Sequence, residues 1–187
     1  MEIKPAQAAD VTTIASVLRR AFATTAERFG LTVRNCPTNP AFATPERVAE
    51  DMARGMRYYL LAEDGRARGC VAMEQADDAD LVYLGRLGVV PEERSQGLGR
   101  ALVEHVLREA ERIGVERVEL GLMDDDAPLK QWYGRFGFRQ TSTKRFEHLP
   151  FLVAFMAKEL RRPRGPSVSL ADSDGREERW THSTHHE

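Results

Sequence analysis

An apolar run carrying two glycines, a glycine-rich loop, an amphipathic helix and a second apolar run follow one another between residues 81 and 122. That succession constrains the fold more than any other feature of the chain. Residues 81–90 read as a strand, with Gly85 and Gly88 marking a bulge or a close backbone approach by a ligand. Pro91-Glu92-Glu93 and then Arg94-Ser95-Gln96-Gly97-Leu98-Gly99 lead into a helix over 97–114. Its Leu98, Leu102, Val106, Ala110 and Ile113 form one apolar stripe, and Gly114 is its stop. Residues 116–122 are the next strand. A strand, a crossover helix and a strand make a βαβ unit, which sets the two strands parallel.

The flanking segments enlarge this unit. Residues 2–5 suit a short edge strand. Asp10 suits an N-cap, and Val11, Ile14, Val17, Leu18, Ala21 and Phe22 recur at helical spacing, which predicts a helix over 10–29 ended by Gly30. Asn35-Cys36-Pro37-Thr38-Asn39-Pro40 is a loop, and Thr44-Pro45-Glu46 restarts a helix that stops at Gly55. Strands over 57–63 and 68–75 are joined by Asp64-Gly65 as a hairpin. Downstream of the central unit, Asp124-Asp125-Asp126 opens a short helix over 127–136 ended by Gly137, and 138–146 and 151–160 are two closing strands. The order β-α-α-β-β-β-α-β-α-β-β predicts an α/β (α+β) domain with a mixed sheet of about six to seven strands and about four helices. The domain is expected to cover 1–161. Residues 162–187, rich in proline, serine and charge, are expected to be a flexible polar tail. With no cysteine partner, the tail's His182, His185 and His186 do not amount to a metal site, and none is expected.

Composition narrows the function classes. The 187 residues are 42% hydrophobic and 30% charged, with a formal net charge of −2, as in an ordinary globular domain. There is no basic excess for a nucleic-acid partner. No stretch is long and apolar enough to span a membrane, and Met1-Glu2-Ile3-Lys4-Pro5 lacks the apolar run of a signal peptide. Two cysteines, Cys36 and Cys70, are too few for a disulfide framework, so a cytoplasmic location is expected.

The loop at 94–99 carries the chemistry. Amides at a helix N-terminus lack intrahelical acceptors, the helix dipole puts partial positive charge there, and glycines admit phosphate oxygens to the backbone. Arg94 and Arg100 flank the loop and could add charge. A P-loop would need Lys-Ser/Thr after the last glycine, where Arg100-Ala101 stands, and a dinucleotide fingerprint would need Gly or Ala where Leu102 stands. An anion cradle of another type remains.

Arg94-x-x-Gly97-x-Gly99, followed by Arg100-Ala101-Leu102 and preceded by Leu87-Gly88-Val89-Val90-Pro91, is similar to the Arg/Gln-x-x-Gly-x-Gly/Ala motif of the GNAT acetyltransferases. Trp132-Tyr133-Gly134-Arg135-Phe136-Gly137-Phe138 resembles that family's Tyr-x-x-x-Gly-Phe segment. Element order agrees over about 1–160. The ending Phe146-Glu147-His148-Leu149-Pro150-Phe151, then Phe155-Met156-Ala157-Lys158, resembles a poorly characterised subgroup of the family.

The resemblance implies acetyl-CoA as cosubstrate, two splayed parallel strands, and transfer of the acetyl group to a primary amine by direct attack. It places pantetheine against the backbone of Leu87, Gly88 and Val89. It places the pyrophosphate on the loop of Arg94, Gln96, Gly97, Leu98, Gly99 and Arg100. It gives Tyr133 the task of stabilising or protonating the leaving thiolate; by its residues alone Tyr133 reads equally well as packed core. Glu63, Glu74, Glu92, Glu93, Tyr83 and His148 are candidates for a base, and none is selected. Asp126 stands where the family often has Asn; it serves equally as a helix N-cap but lacks the amide donor. The expected acceptor is a small-molecule amine, with a protein or peptide amine as the other reading, and residues 22–56 (Phe29, Asn35, Cys36 and Thr38 among them) and the turn near Glu147 and His148 are expected to select it. Edge strands and the apolar ending could support a homodimer. A non-catalytic acetyl-CoA sensor of the same fold and a nucleotide-binding protein using the same loop are the competing readings.

Overall fold

The computed structural model describes residues 1–160 apart from Ala79, so the expected tail at 162–187 lies outside the described residues. Seven strands are present among them: β1 (Glu2–Pro5), β2 (Arg57–Glu63), β3 (Arg66–Gln75), β4 (Leu81–Val89), β5 (Arg117–Met123), β6 (Arg139–Arg145) and β7 (Leu152–Glu159). Four α-helices accompany them: α1 (Val11–Arg28), α2 (Pro45–Ala53), α3 (Leu98–Ile113) and α4 (Ala127–Gly134). The strands form one sheet in the order β1-β2-β3-β4-β5-β7-β6. β4 and β5, the two ends of the βαβ unit, are parallel, and the neighbouring pairs are antiparallel. The mixed sheet and the element order are those expected from the sequence.

Helix boundaries follow local chemistry. Pro45 occupies the first turn of α2, and the Thr44 hydroxyl accepts from the Arg47 amide. Gly114 ends α3 with φ +80°, a left-handed conformation that glycine adopts at no steric cost. α4 ends two residues earlier than its apolar pattern suggests. There the amides of Arg135, Phe136 and Gly137 each bond to the carbonyl three residues back, tightening the last turn until Gly137, at φ +89°, redirects the chain.

Period-two alternation sorts the strand residues between two helical layers. Leu61, Val71, Met73, Val82, Leu84, Val118 and Leu120 face α3 and α4, where they meet Leu102, Val103, Val106 and Tyr133. Tyr58, Leu60, Cys70 and Ala72 face the other way, onto Ile14, Leu18 and Val48 of α1 and α2. Each large apolar side chain buried in this way contributes roughly 1.5–3 kcal/mol of transfer free energy. Both cysteines are free and buried.

Candidate functional site

The parallel ladder between β4 and β5 is short. It pairs Leu81 with Arg117, Val82 with Val118 and Tyr83 with Glu119, and stops. Beyond that point β5 stays on β7 as far as Met123, while β4 stays on β3 through a register shift. Ala72 pairs with Gly85 but Cys70 pairs with Gly88, so β4 carries one extra residue, and Arg86 there sits at φ +53°. A bulge of this kind bends its strand and increases local twist. The bend opens the sheet between the later halves of β4 and β5, and a cavity of about 600 Å³ lies in the opening.

One end of the cavity is the glycine-rich loop. Ser95 (φ +64°) and Gly97 (φ +81°) are both left-handed, and Gly97 is the N-cap of α3. The first intrahelical bond runs from Ala101 to Gly97, so the amides of Leu98, Gly99 and Arg100 have no backbone acceptor among the described residues. A Cβ at Gly97 would meet nothing within 4 Å, whereas one at Gly99 would touch the indole of Trp132 at 3.5 Å. Trp132 therefore forms a wall beside the loop, a position that its aromatic character alone did not reveal.

Of the residues that the sequence assigned to this end, Leu87, Gly88, Val89, Arg94, Gly97, Leu98, Gly99 and Arg100 line the cavity. Gln96 does not; its side-chain amide donates to Glu93 at 3.2 Å. The guanidinium of Arg94 is turned away from the expected anion-binding role. It donates to the carbonyl of Ala21 at 2.6 Å, the Thr24 hydroxyl at 3.0 Å and the Val89 carbonyl at 3.3 Å, and so braces α1 against the end of β4. Arg100 points outward and pairs with Glu104 at 2.7 Å. Both arginines line the cavity with their guanidiniums engaged by the protein, and the amides of Leu98, Gly99 and Arg100 are the unbonded donors beside them. Gly88 stands at the register shift, as one of the two readings of the strand glycines expects, and it has a further reason to be glycine: a Cβ there would lie 2.8 Å from the Ala21 Cβ, so its absence lets α1 lie against the strand. At Gly85 the same test finds open space, and Gly85 lines the cavity.

At mid-cavity stands Tyr133 of α4. It is 6% exposed, its ring meets Trp132 and Phe138 edge-on, and its hydroxyl has no hydrogen-bond partner among the described residues. Burial pushes its ionisation well above the ordinary tyrosine range, so it is a neutral donor at any working pH. Asp126, at the head of the same helix, accepts from the Leu129 amide at 3.3 Å and pairs with Arg28 of α1 at 3.1 Å. Asp124 pairs with Lys130. The acidic triplet therefore caps α4 and ties it to its surroundings.

Several aromatic and apolar side chains gather elsewhere around the cavity, with a few polar ones among them. Phe22 and Thr25 of α1, Cys36 and Thr38 of the loop after it, and Phe146, His148, Leu149 and Phe151 before β7 line it. Of the rim residues anticipated from the sequence, Cys36, Thr38 and His148 line the cavity. Phe29 packs beneath Arg28 instead, and Asn35 folds back onto Gly30 and Thr32. Among the proposed bases, Glu63 and Glu93 pair with Arg68, and Glu92 pairs with Arg20. Glu74, Tyr83 and His148 line the cavity, and so does Glu93 despite its pairing.

Around this cavity, with its splayed strand pair and its loop of unbonded helix amides, residues 18–138 match the model of the acetyltransferase (GNAT) family. The chain belongs to the GNAT family. An uncharacterized N-acetyltransferase of Schizosaccharomyces pombe is 31% identical over 119 residues, which cover 59% of this chain and 73% of that protein. The alanine N-acetyltransferase of ribosomal protein bS18 from Escherichia coli is 32% identical over 95 residues, covering 49% of this chain and 62% of that protein. Among solved structures, the ribosomal-protein-S18-alanine N-acetyltransferase from Escherichia coli superposes with a TM-score of 0.70 at 20% identity, covering 90% of this chain and 99% of that one. A putative acetyltransferase from Salmonella typhimurium, determined with acetyl-CoA, gives 0.68 at 22% identity, with the same coverage. These likenesses establish the GNAT fold. The matched family segment runs from α1 to the start of β6 and so contains the loop, the bulge and Tyr133.

Proposed function

We propose that this GNAT protein is an acetyl-CoA-dependent N-acetyltransferase whose acceptor is the primary amine of a small molecule. The observation that carries the reading is that one cavity is lined by the unbonded-amide loop at Gly97–Gly99, by Tyr133, and by Phe22 and Phe146. A diphosphate fits the cradle by charge and by the absence of side chains; the thioester would then lie in the opening beside β4. The relatives named N-acetyltransferases, and the neighbour determined with acetyl-CoA, point to the same cosubstrate. A cavity of about 600 Å³ with largely apolar walls is of a size for a small amine.

The chemistry asked of the residues is modest. An alkylammonium must lose a proton before its nitrogen can attack the thioester carbon; the C–N bond forms, the C–S bond breaks, and the thiolate leaves. A thiol ionises near ~8.5, below tyrosine at ~10, and burial widens that gap for Tyr133. Tyr133 is therefore suited to give the departing sulfur a charge-assisted hydrogen bond, with the last proton arriving from solvent. The bulged backbone of β4 holds the thioester in register.

Calorimetry of the purified protein with acetyl-CoA, CoA and ATP tests the cosubstrate. Micromolar binding of acetyl-CoA and CoA with none of ATP is expected, followed by amine-dependent thiol release. A folded sample that ignores acetyl-CoA, or binds ATP as well, would overturn the reading.

A further inference from the structure

The bulge residue Arg86 has no role in acetyl transfer itself, yet it is the most unusual side chain in the chamber. It is held at φ +53°, its side chain is 13% exposed, and it borders both the main cavity and a water-sized recess beneath the loop after α1. The recess and the main cavity share Thr38, Asn39, Pro40 and Arg86 in their walls, so the recess is a side pocket of the acceptor chamber.

The charges around it do not cancel. Asp51, 3% exposed, accepts from Arg54 at 2.7 Å and from the Tyr58 hydroxyl at 3.0 Å. Arg86 approaches the same carboxylate only at 3.6 Å, outside hydrogen-bonding distance, and no hydrogen bond to its guanidinium is formed among the described residues. One carboxylate thus faces two guanidiniums. Arg54 takes the short contact, and Arg86 shares the carboxylate's charge at longer range with its N–H donors unused. A desolvated guanidinium with free donors is a strong site for a flat anion that can accept two parallel N–H bonds. Much of the chamber wall is apolar, with Phe22, Met123, Phe146, Leu149 and Phe151 among its residues.

We infer that Arg86 binds a carboxylate of the acceptor, so that the substrate class is an amine bearing a carboxylate next to an apolar group, as in an apolar amino acid. This rests on the acetyltransferase reading and deepens it. Glu74, which lines the same cavity and pairs with Tyr83 three residues before Arg86, offers an acidic group to the ammonium end of such a molecule.

The test separates carboxylate recognition from turnover. Binding of 3-phenylpropionate and of its uncharged amide, 3-phenylpropanamide, is measured by calorimetry on the whole chain, without acetyl-CoA. The carboxylate is expected to bind at least ~10-fold more tightly, the size of one charge-assisted hydrogen-bond pair. Arg86→Gln should erase that preference and Arg86→Lys should keep part of it, with acetyl-CoA affinity unchanged in both. Equal affinity for the two probes in the wild type, no binding of either, or a preference that survives in a folded Arg86→Gln protein would overturn the assignment. The wild-type comparison needs no variant and stands if Arg86→Gln fails to fold. Absence of acetyl-CoA binding would sink the acetyltransferase reading while leaving the carboxylate result intact. If phenethylamine turns over as well as phenylalanine in a thiol-release assay, the chamber takes amines without regard to a carboxylate, and the inference also fails.

Discussion

Tyr133 shows how one environment sets one role. Its ring is core, packed between Trp132 and Phe138, and the residue also lines the cavity, so packing accounts for the ring and the proposed chemistry falls to the hydroxyl. Removing the hydroxyl leaves the packing intact. Tyr133→Phe is therefore expected to lower the rate of thiol release about 10²-fold, in the range of a lost transition-state donor, with acetyl-CoA affinity and melting temperature nearly unchanged. Rates and calorimetry on the same preparation check both halves. A variant as fast as the wild type would leave Tyr133 as packing alone. Because burial raises its ionisation, the wild-type rate should show no alkaline loss attributable to this phenol below about pH 10.

At the scale of elements, the site is made by strands that part. α1 is drawn onto β4 at Gly88, where a Cβ would press against Ala21 at 2.8 Å and Phe22 at 3.2 Å, and Arg94 fastens the same junction from the other side. Gly88→Ala should force α1 outward and destabilise the protein by about 1–3 kcal/mol, the usual cost of overpacking, seen as a lower denaturation midpoint. The same shift moves Phe22, so the acceptor chamber should change shape while the amide cradle does not. The strands, the helices and the phosphate loop were legible in the sequence because they rest on periodicity, capping residues and local backbone chemistry, all within a few residues of one another. The roles of Gly88, Arg94 and Trp132 were not legible, because each is decided by a partner far along the chain: Ala21, the α1 carbonyls and Gly99. Arg86 was hidden for a related reason. Within an apolar strand it looks like an exposed charge, and only the extra residue in the ladder turns it toward Asp51. Cys36 and His148 were placed correctly at the rim by their position in loops, but their neighbours there were not sortable into those that line the chamber and those that pack behind it.

For the molecule as a whole, two helical layers close on a sheet that must stay open at its centre, so stability has to come from the flanks. The layer formed by α1 and α2 buries Cys70 and Tyr58, and the opposite layer buries Tyr133; all three are kept protonated by desolvation. Cys36 and Tyr59, also buried, are shifted the same way by desolvation. Burial pushes the Cys70 thiol from its ordinary 9.0 up to about 12. A raised ionisation constant in the folded state means that the stabilisation is complete below the unfolded value and is lost as pH climbs toward the folded one. In the unfolded chain the thiols release their protons from about pH 9 and the tyrosines from about 10, while the native protein holds them. The melting temperature is thus expected to be flat near neutrality and to fall steadily above about pH 9. Cys70→Ala should start lower at pH 7, through lost packing, yet decline less steeply between pH 9 and 10, where thiols dominate the difference. Thermal melts of the two proteins across that interval give the slopes directly. Parallel slopes would mean that Cys70 does not contribute to the alkaline loss, and that the strand facing α1 is wetter than its contacts imply.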